Sequence, residues 1–203
     1  MLALSARPDS IALAVVGAVV LGFSTAWASH PRISTRERAV FRAINRLPNW
    51  LYYVLWLPMQ CGNLVVGVLL GAGIALALGD VAVAVATVVA AVAKLAAERV
   101  LRNRIAGVRD VRQRPGTSEP GAILRGDVPV SGPSFPSGHV ILVAAIAGVI
   151  VTALPGVWQW APWLVVALVA IGRVYVGAHN PLDVTAGLGA GLVIGGVLIL
   201  LLR

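Results

Sequence analysis

The sequence predicts an all-α membrane protein: a polytopic bundle of six transmembrane helices with a short interfacial amphipathic helix after the first. Three observations lead there. Of the 203 residues, 59% are hydrophobic and 12% are charged, where a soluble domain carries about 25% charged residues. Mean hydropathy is +0.90. The apolar residues also gather into runs, and a helix needs about 20 of them to cross a bilayer. The chain reads as a single membrane domain over 1–203. Residues 1–50 supply the first span and the interfacial helix, and 51–203 form a helix bundle interrupted by a polar loop, 98–138.

The first run, Ile11 to Ala28, ends in Ala26-Trp27-Ala28-Ser29. That ending is similar to a signal-peptide cleavage site, but the run is long for a signal peptide and the rest of the chain is itself apolar, so it reads as an uncleaved first span. Ser34-Thr-Arg-Glu37 then has the pattern of a capping box. Behind it, Arg36, Arg38, Arg42 and Arg46 alternate with Val40, Phe41, Ile44 and Leu47 at the spacing of a helix lying on a membrane surface. Trp50, Tyr52, Tyr53 and Trp56 form an interfacial aromatic belt leading into span two, which ends near Leu78.

After the turn at Gly79-Asp80, span three runs from about Val81 to Ala97. Residues 98–136 are rich in Arg, Pro and Gly and read as the one long loop. Spans four (about His139–Leu154), five (about Trp160–Val176) and six (about Leu182–Leu202) follow, with Trp158, Trp160 and Trp163 as a second belt on the opposite face. Gly187, Gly189, Gly191, Gly195 and Gly196 in span six predict close helix packing. Six spans place the loops after spans three and five on one side of the membrane.

The formal net charge is +8, yet the basic residues are not interleaved with stacking aromatics, which argues against nucleic acid. Membrane lipids and phosphate-bearing amphiphiles are the better partners. Cys61 is the single cysteine, which excludes an intramolecular disulfide and a Cys-based zinc site.

Two segments carry chemistry. Pro136-Ser137-Gly138-His139 opens a helix whose free N–H groups suit a phosphate, and His139 sits in its first turn as a candidate proton donor. Forty residues on come Arg173, His179, Asn180-Pro181 and Asp183. Asn180-Pro181 reads as N-cap and first residue of span six. Asp183, four residues after His179, can accept a hydrogen bond from one ring nitrogen and leave the other free as a nucleophile. Each segment alone also has a plainer reading, as a helix cap with an interfacial histidine. His30 reads as such a residue, with no part in the chemistry.

Together, Pro-Ser-Gly-His and Arg-x5-His-x3-Asp resemble the second and third signatures of the type 2 phosphatidic acid phosphatase (PAP2) superfamily, over about residues 90–200. The resemblance implies a membrane lipid phosphatase that needs no metal or cofactor. In it His179 attacks phosphorus, Asp183 orients His179, and His139 protonates the leaving oxygen. Ser137, Gly138 and Arg173 hold the phosphate oxygens. The third signature departs at Gly172, where the family has Ser. The first, Lys-x6-Arg-Pro, departs further: Arg114-Pro115 supplies its end, but Gly107 stands where Lys is expected. Arg114 is assigned to phosphate. Three residues compete for the lysine's place: Arg102, Arg109 (followed by Asp110 where Pro should stand) and Lys94, the only lysine. Arg102 is the assignment, and the rest of the run reads as a solvated basic loop, with Glu119 and Asp127 pairing arginines.

The implied substrate is a lipid phosphate or pyrophosphate, of the phosphatidic acid, phosphatidylglycerol phosphate or polyprenyl type. The rivals are a lipid-linked phosphotransferase and a non-catalytic scaffold or transporter that keeps a phosphate site. Orientation has opposed indicators. The resemblance implies a site external to the plasma membrane of a bacterium, whereas Arg32, Arg36, Arg38, Arg42 and Arg46 on the same face point inward by the positive-inside rule.

Overall fold

The computed structural model describes residues 6–30, 32–106 and 112–202. Among them are nine α-helices and no strand. The first is α1 (Ala6–Ala28), followed by the surface helix α2 (Thr35–Asn45). Next come α3 (Leu51–Gln60), α4 (Leu64–Ala77), α5 (Val81–Ala106) and the one-turn α6 (Pro115–Ser118). The last three are α7 (Gly138–Ile150), α8 (Trp160–Tyr175) and α9 (Pro181–Leu202).

The helix-bundle class holds. Among the described residues, four helical stretches are long and apolar enough to cross a membrane, against the six spans expected: Asp9–Ala28, Val81–Arg104, Gly156–Tyr175 and Pro181–Leu202. The expected second span is broken. Helices α3 and α4 meet at 68° across Cys61–Asn63, and together they make a fifth candidate. Asn63 caps α4 by accepting from the N–H groups of Val65 and Val66, so the break restarts the backbone hydrogen bonding at once. The expected fourth span is the 13-residue α7, and every residue from Val140 to Ile150 is buried. It is a central helix of the bundle, shorter than the stretch His139–Leu154 expected from hydropathy.

Helix α5 runs nine residues past the expected Ala97, into the stretch read as loop. Lys94–Glu98 and Glu98–Arg102 ion pairs, each one turn apart, carry the helix beyond its apolar part. Trp158 and Trp160 are exposed as a belt should be, but Trp163 packs against the core beside Val166 and Val169.

Helix α9 is the shared wall of the bundle. A Cβ at Gly189 would stand 2.5 Å from the Leu21 nitrogen, and one at Gly196 would stand 2.8 Å from the Ala14 nitrogen, so this face takes α1. Gly187, Gly191 and Gly195 lie on the face toward α7, where a Cβ at Gly191 would stand 2.6 Å from the Ile141 carbonyl oxygen. The glycine run predicted by the sequence therefore serves two contacts. With backbones this close, α7 and α9 bring their N-terminal ends to one place: the Ser137 N–H donates to the Asp183 carbonyl at 2.9 Å.

Candidate active site

The loop between α5 and α7 is folded onto itself from Arg112 onward. The Ser134 N–H and hydroxyl both donate to the Arg112 carbonyl, and the Arg114 N–H donates to the Gly132 carbonyl. The loop is also tied to the rest of the bundle. Asn45 at the end of α2 pairs with Ile123 through both halves of its amide and donates to the Tyr175 carbonyl as well. Arg125 lies over the Tyr175 ring and gives its N–H groups to the Asn45, Leu47 and Tyr175 carbonyls and the Asn49 side chain. It is a structural rivet, since these partners use up its donors.

The turn from α8 to α9 sets His179. Gly177 has φ +78°, a conformation that favours glycine, and a Cβ there would stand 2.9 Å from the Ile123 carbonyl oxygen. The N–H groups of Ala178 and His179 then both return to the Arg173 carbonyl. His179 is buried, at 3% exposure. Its Nδ1 lies 2.8 Å from the Ser134 carbonyl oxygen and 3.9 Å from Oδ2 of Asp183. Here the geometry differs from the sequence expectation. A backbone carbonyl, and not Asp183, takes the hydrogen bond that fixes the ring, because Asp183 is occupied elsewhere. Its Oδ2 accepts from the Asn180 N–H at 2.8 Å and its Oδ1 accepts from Nε of Arg112 at 2.7 Å. Nδ1–H donating to a carbonyl requires the tautomer with Nε2 unprotonated, the form a nucleophile needs.

Burial pushes the His179 imidazole well below the usual histidine range, and Arg173, Arg114 and His139 add repulsion against its protonation. The ring is therefore neutral at pH 7. Arg173 and Arg114 both face His139 as well, together with Lys94. Arg114 reaches inward to donate to the Ala178 carbonyl at 3.0 Å, which anchors it next to His179. Ser137 caps α7 without using its side chain. Among the described residues its buried hydroxyl has no partner, nor does the buried Nε of Arg173. Two polar groups left open beside two histidines are what an anion would fill.

The residues competing for the missing lysine separate in space. A Cβ at Gly138 would stand 3.0 Å from Cε of Lys94 and 2.7 Å from Oε2 of Glu98, so Lys94 lies against the Pro-Ser-Gly-His turn. Lys94 is largely buried and pairs with Glu98 at 2.6 Å. Arg102 is paired with the other oxygen of Glu98, and its side chain is 38% exposed. Arg109 falls outside the described residues. Glu119 pairs with Arg38 at 2.8 Å and approaches Arg42 at 3.9 Å, bringing two of the surface-helix arginines into the fold.

Sequence reasoning missed a further layer. Glu37 does not fold back to complete a capping box. Only the Ser34 half forms, at 3.2 Å. The Glu37 carboxylate is buried, accepts from Arg112 and takes the Leu182 N–H at 3.0 Å in the first turn of α9. Burial pushes its pKa up, against the lowering effect of Arg112.

Comparison with known proteins bears on the family and the fold. The family model for the PAP2 superfamily matches residues 77–203. An undecaprenyl-diphosphatase of Sulfolobus acidocaldarius is 46% identical over 55 residues, 27% of this chain and 26% of the relative, so the chain spans about a quarter of the length of that curated relative. LpxE of Aquifex aeolicus superposes with a TM-score of 0.68 at 22% identity, covering 79% of this chain and 92% of that one. A transmembrane PAP2-type phosphatidylglycerolphosphate phosphatase from Bacillus subtilis superposes with a TM-score of 0.66 at 21% identity over 93% of both chains. With the family model covering more than half of its length, the chain belongs to the PAP2 superfamily.

Proposed function

We propose that this protein is an integral membrane phosphatase that hydrolyses a lipid phosphate or pyrophosphate through a phosphohistidine on His179. The observation that carries the reading is the state of His179: neutral, held through Nδ1 by the Ser134 carbonyl, and faced by Arg114, Arg173 and His139. Nε2 attacks phosphorus as the bond to the leaving oxygen breaks; His139, otherwise kept neutral by burial, Arg173, Lys94 and Arg114, is charged when the phosphate offsets those cations, and gives that oxygen its proton. Water then attacks the phosphohistidine, His139 takes the water's proton, and inorganic phosphate leaves with Nε2 free again. Arg114, Arg173, the Ser137 hydroxyl and the first N–H groups of α7 hold the three phosphoryl oxygens, where charge accumulates in the transition state. Lys94 takes the place of the missing lysine, because it touches Gly138, whereas Arg102 is half-exposed and turned to Glu98.

A lipid fits better than a soluble phosphate. An apolar cavity of about 300 Å³ lies between α4, α7 and α8, bordered by Cys61, Gly71, Val143, Ala147 and Trp158. Cys61 in its lining belongs to the α3–α4 break, and at the next residue a Cβ on Gly62 would stand 2.8 Å from Cβ of His139. A hydrocarbon chain lying there places its phosphate at the histidines.

The test is release of inorganic phosphate by the purified protein in detergent from phosphatidic acid, phosphatidylglycerol phosphate and a polyprenyl pyrophosphate, with an added lipid or sugar alcohol to detect transfer. At least one lipid should be hydrolysed, vanadate should inhibit, and His179→Ala should abolish turnover. Full activity of His179→Ala would overturn the mechanism, and transfer in place of release would make the enzyme a phosphotransferase.

A further inference from the structure

Behind His179 lies a buried chain of three ionic side chains drawn from three distant parts of the sequence. Arg112 in the loop gives Nε to Asp183 and Nη2 to Glu37. The side chains of Arg112, Glu37 and Asp183 are 3%, 5% and 0% exposed. Glu37 comes from α2, outside the stretch matched by the family model. One oxygen of Glu37 accepts two donors, Arg112 and the Leu182 N–H, while the other is buried with no partner.

The charges of this cluster do not cancel. Two carboxyl groups face one guanidinium; burial raises the Glu37 pKa while Arg112 lowers it, and with both carboxyls ionised the cluster holds one negative charge in excess. Its outer member, Asp183, stands 3.9 Å from Nδ1 of His179 without taking its hydrogen bond. A salt-bridged Asp183–Arg112 pair alone would be neutral and of little electrostatic use to the ring. When His179 is phosphorylated through Nε2 with Nδ1 still protonated, the imidazole becomes cationic. The phosphoryl oxygens face Arg114 and Arg173, so a carboxylate on the Nδ1 side of the ring is what stabilises the imidazolium.

We propose that Glu37 and Arg112 are positioning residues that serve the phosphohistidine step. Arg112 fixes the Asp183 carboxylate at the start of α9, and Glu37 restores the net negative charge that Arg112 would otherwise cancel. The surface helix α2 thereby supplies a charge to the catalytic centre, as well as an N–H acceptor for α9. This rests on the phosphohistidine reading above.

The experiment compares wild type, Glu37→Gln and Glu37→Asp as full-length proteins in detergent, following the quenched phosphoenzyme and the pH profile of kcat/KM. Gln keeps the shape and removes the charge, while Asp keeps the charge on a shorter arm. Glu37→Gln should lower kcat and the rate of phosphoenzyme formation by about tenfold or more, with KM changed less than about threefold. Losing a negative charge near His179 makes the ring harder to protonate, so the acid limb of the profile should move to lower pH. The groups facing His179 in that profile are Arg173, Arg114, His139 and Asp183, and those facing Glu37 are Arg112 and Asp183. Glu37→Asp should keep the native acid limb and more of the activity.

A Glu37→Gln enzyme with native kcat and an unmoved acid limb would overturn the proposal, as would one whose loss appears only as a lower unfolding midpoint. If Glu37→Gln does not fold, Glu37→Asp decides, because a shifted acid limb there would overturn it equally. Failure of the wild type to form a phosphoenzyme is a failure of the underlying reading, and it is read in a separate lane of the same experiment.

Discussion

Nδ1 of His179 hydrogen-bonds the carbonyl oxygen of Ser134 at 2.8 Å, while Asp183 waits at 3.9 Å. Two jobs that the sequence assigned to one aspartate are thus divided. The backbone of the 112–137 loop sets the ring's tautomer and direction, and the carboxylate supplies charge and holds the first turn of α9.

That division predicts how Asp183→Asn should behave. The ring keeps its Ser134 contact, so the variant should still form a phosphoenzyme, with kcat lowered by about 100-fold and KM little changed. His179→Ala should form none. Trapping the phosphoenzyme in acid quench distinguishes the two, and an Asp183→Asn variant as dead as His179→Ala would return orientation to Asp183.

Lys94 and Arg102 share Glu98 but differ in place. Lys94→Ala should lower kcat/KM by about 100-fold, since it removes a cation at the Gly138 turn. Arg102→Ala, at a half-exposed i,i+4 pair, should stay within about threefold of wild type. Phosphate release measured over a range of lipid concentrations checks both, and the reverse order would hand the role to Arg102.

Stability should depend on pH through His179. The folded ring resists protonation, while an unfolded histidine takes up a proton near pH 6.5. Below that pH the unfolded state binds more protons, so stability falls as pH falls, by up to about 1.4 kcal/mol per pH unit for this group. Above it the contribution is complete. Unfolding midpoints in detergent between pH 7.5 and 5.5 should drop less steeply for His179→Gln than for wild type. Equal slopes would show that His179 titrates alike in both states.

The glycine faces of α9 can be tested by contrast. Gly189→Ala forces a methyl against the backbone of α1 and should cost about 1–3 kcal/mol. Gly22→Ala, where nothing lies within 4 Å, should leave the midpoint unchanged or raise it.

Orientation is open to a direct measurement. With Arg38 and Arg42 drawn to Glu119, the surface-helix arginines do structural work and count for less in the positive-inside balance. We expect the site to face outward. A cysteine placed at the exposed Thr117 in a Cys61→Ser background should then react with a membrane-impermeant reagent on intact cells, and labelling only after lysis would reverse the assignment.

How much of this was legible in the sequence follows from the kind of signal each residue gives. His139, His179, Asp183 and Arg173 stand in short motifs whose spacing is local, so a sequence can single them out as candidates. Arg112 was hidden among neighbouring arginines, with nothing in the sequence to mark it as the buried one. Glu37 had a persuasive local role as a capping residue, and its real partners lie 75 and 145 residues away. Ser134 contributes a carbonyl, which no side-chain pattern can announce. The span count rests on hydropathy, which measures apolar length and does not separate a helix at the rim of the bundle from one at its centre.

That last distinction bears on how the enzyme experiences its membrane. Helices that meet the acyl chains must tilt, bend or stretch the bilayer around them when its thickness changes. The helix that carries His139 is buried among its neighbours from Val140 to Ile150. Its depth is set by α9 and by the elements packed around it, so a thinner or thicker membrane strains the rim of the bundle first. The candidate site is, in effect, suspended from its neighbours, one layer in from the rim of the bundle.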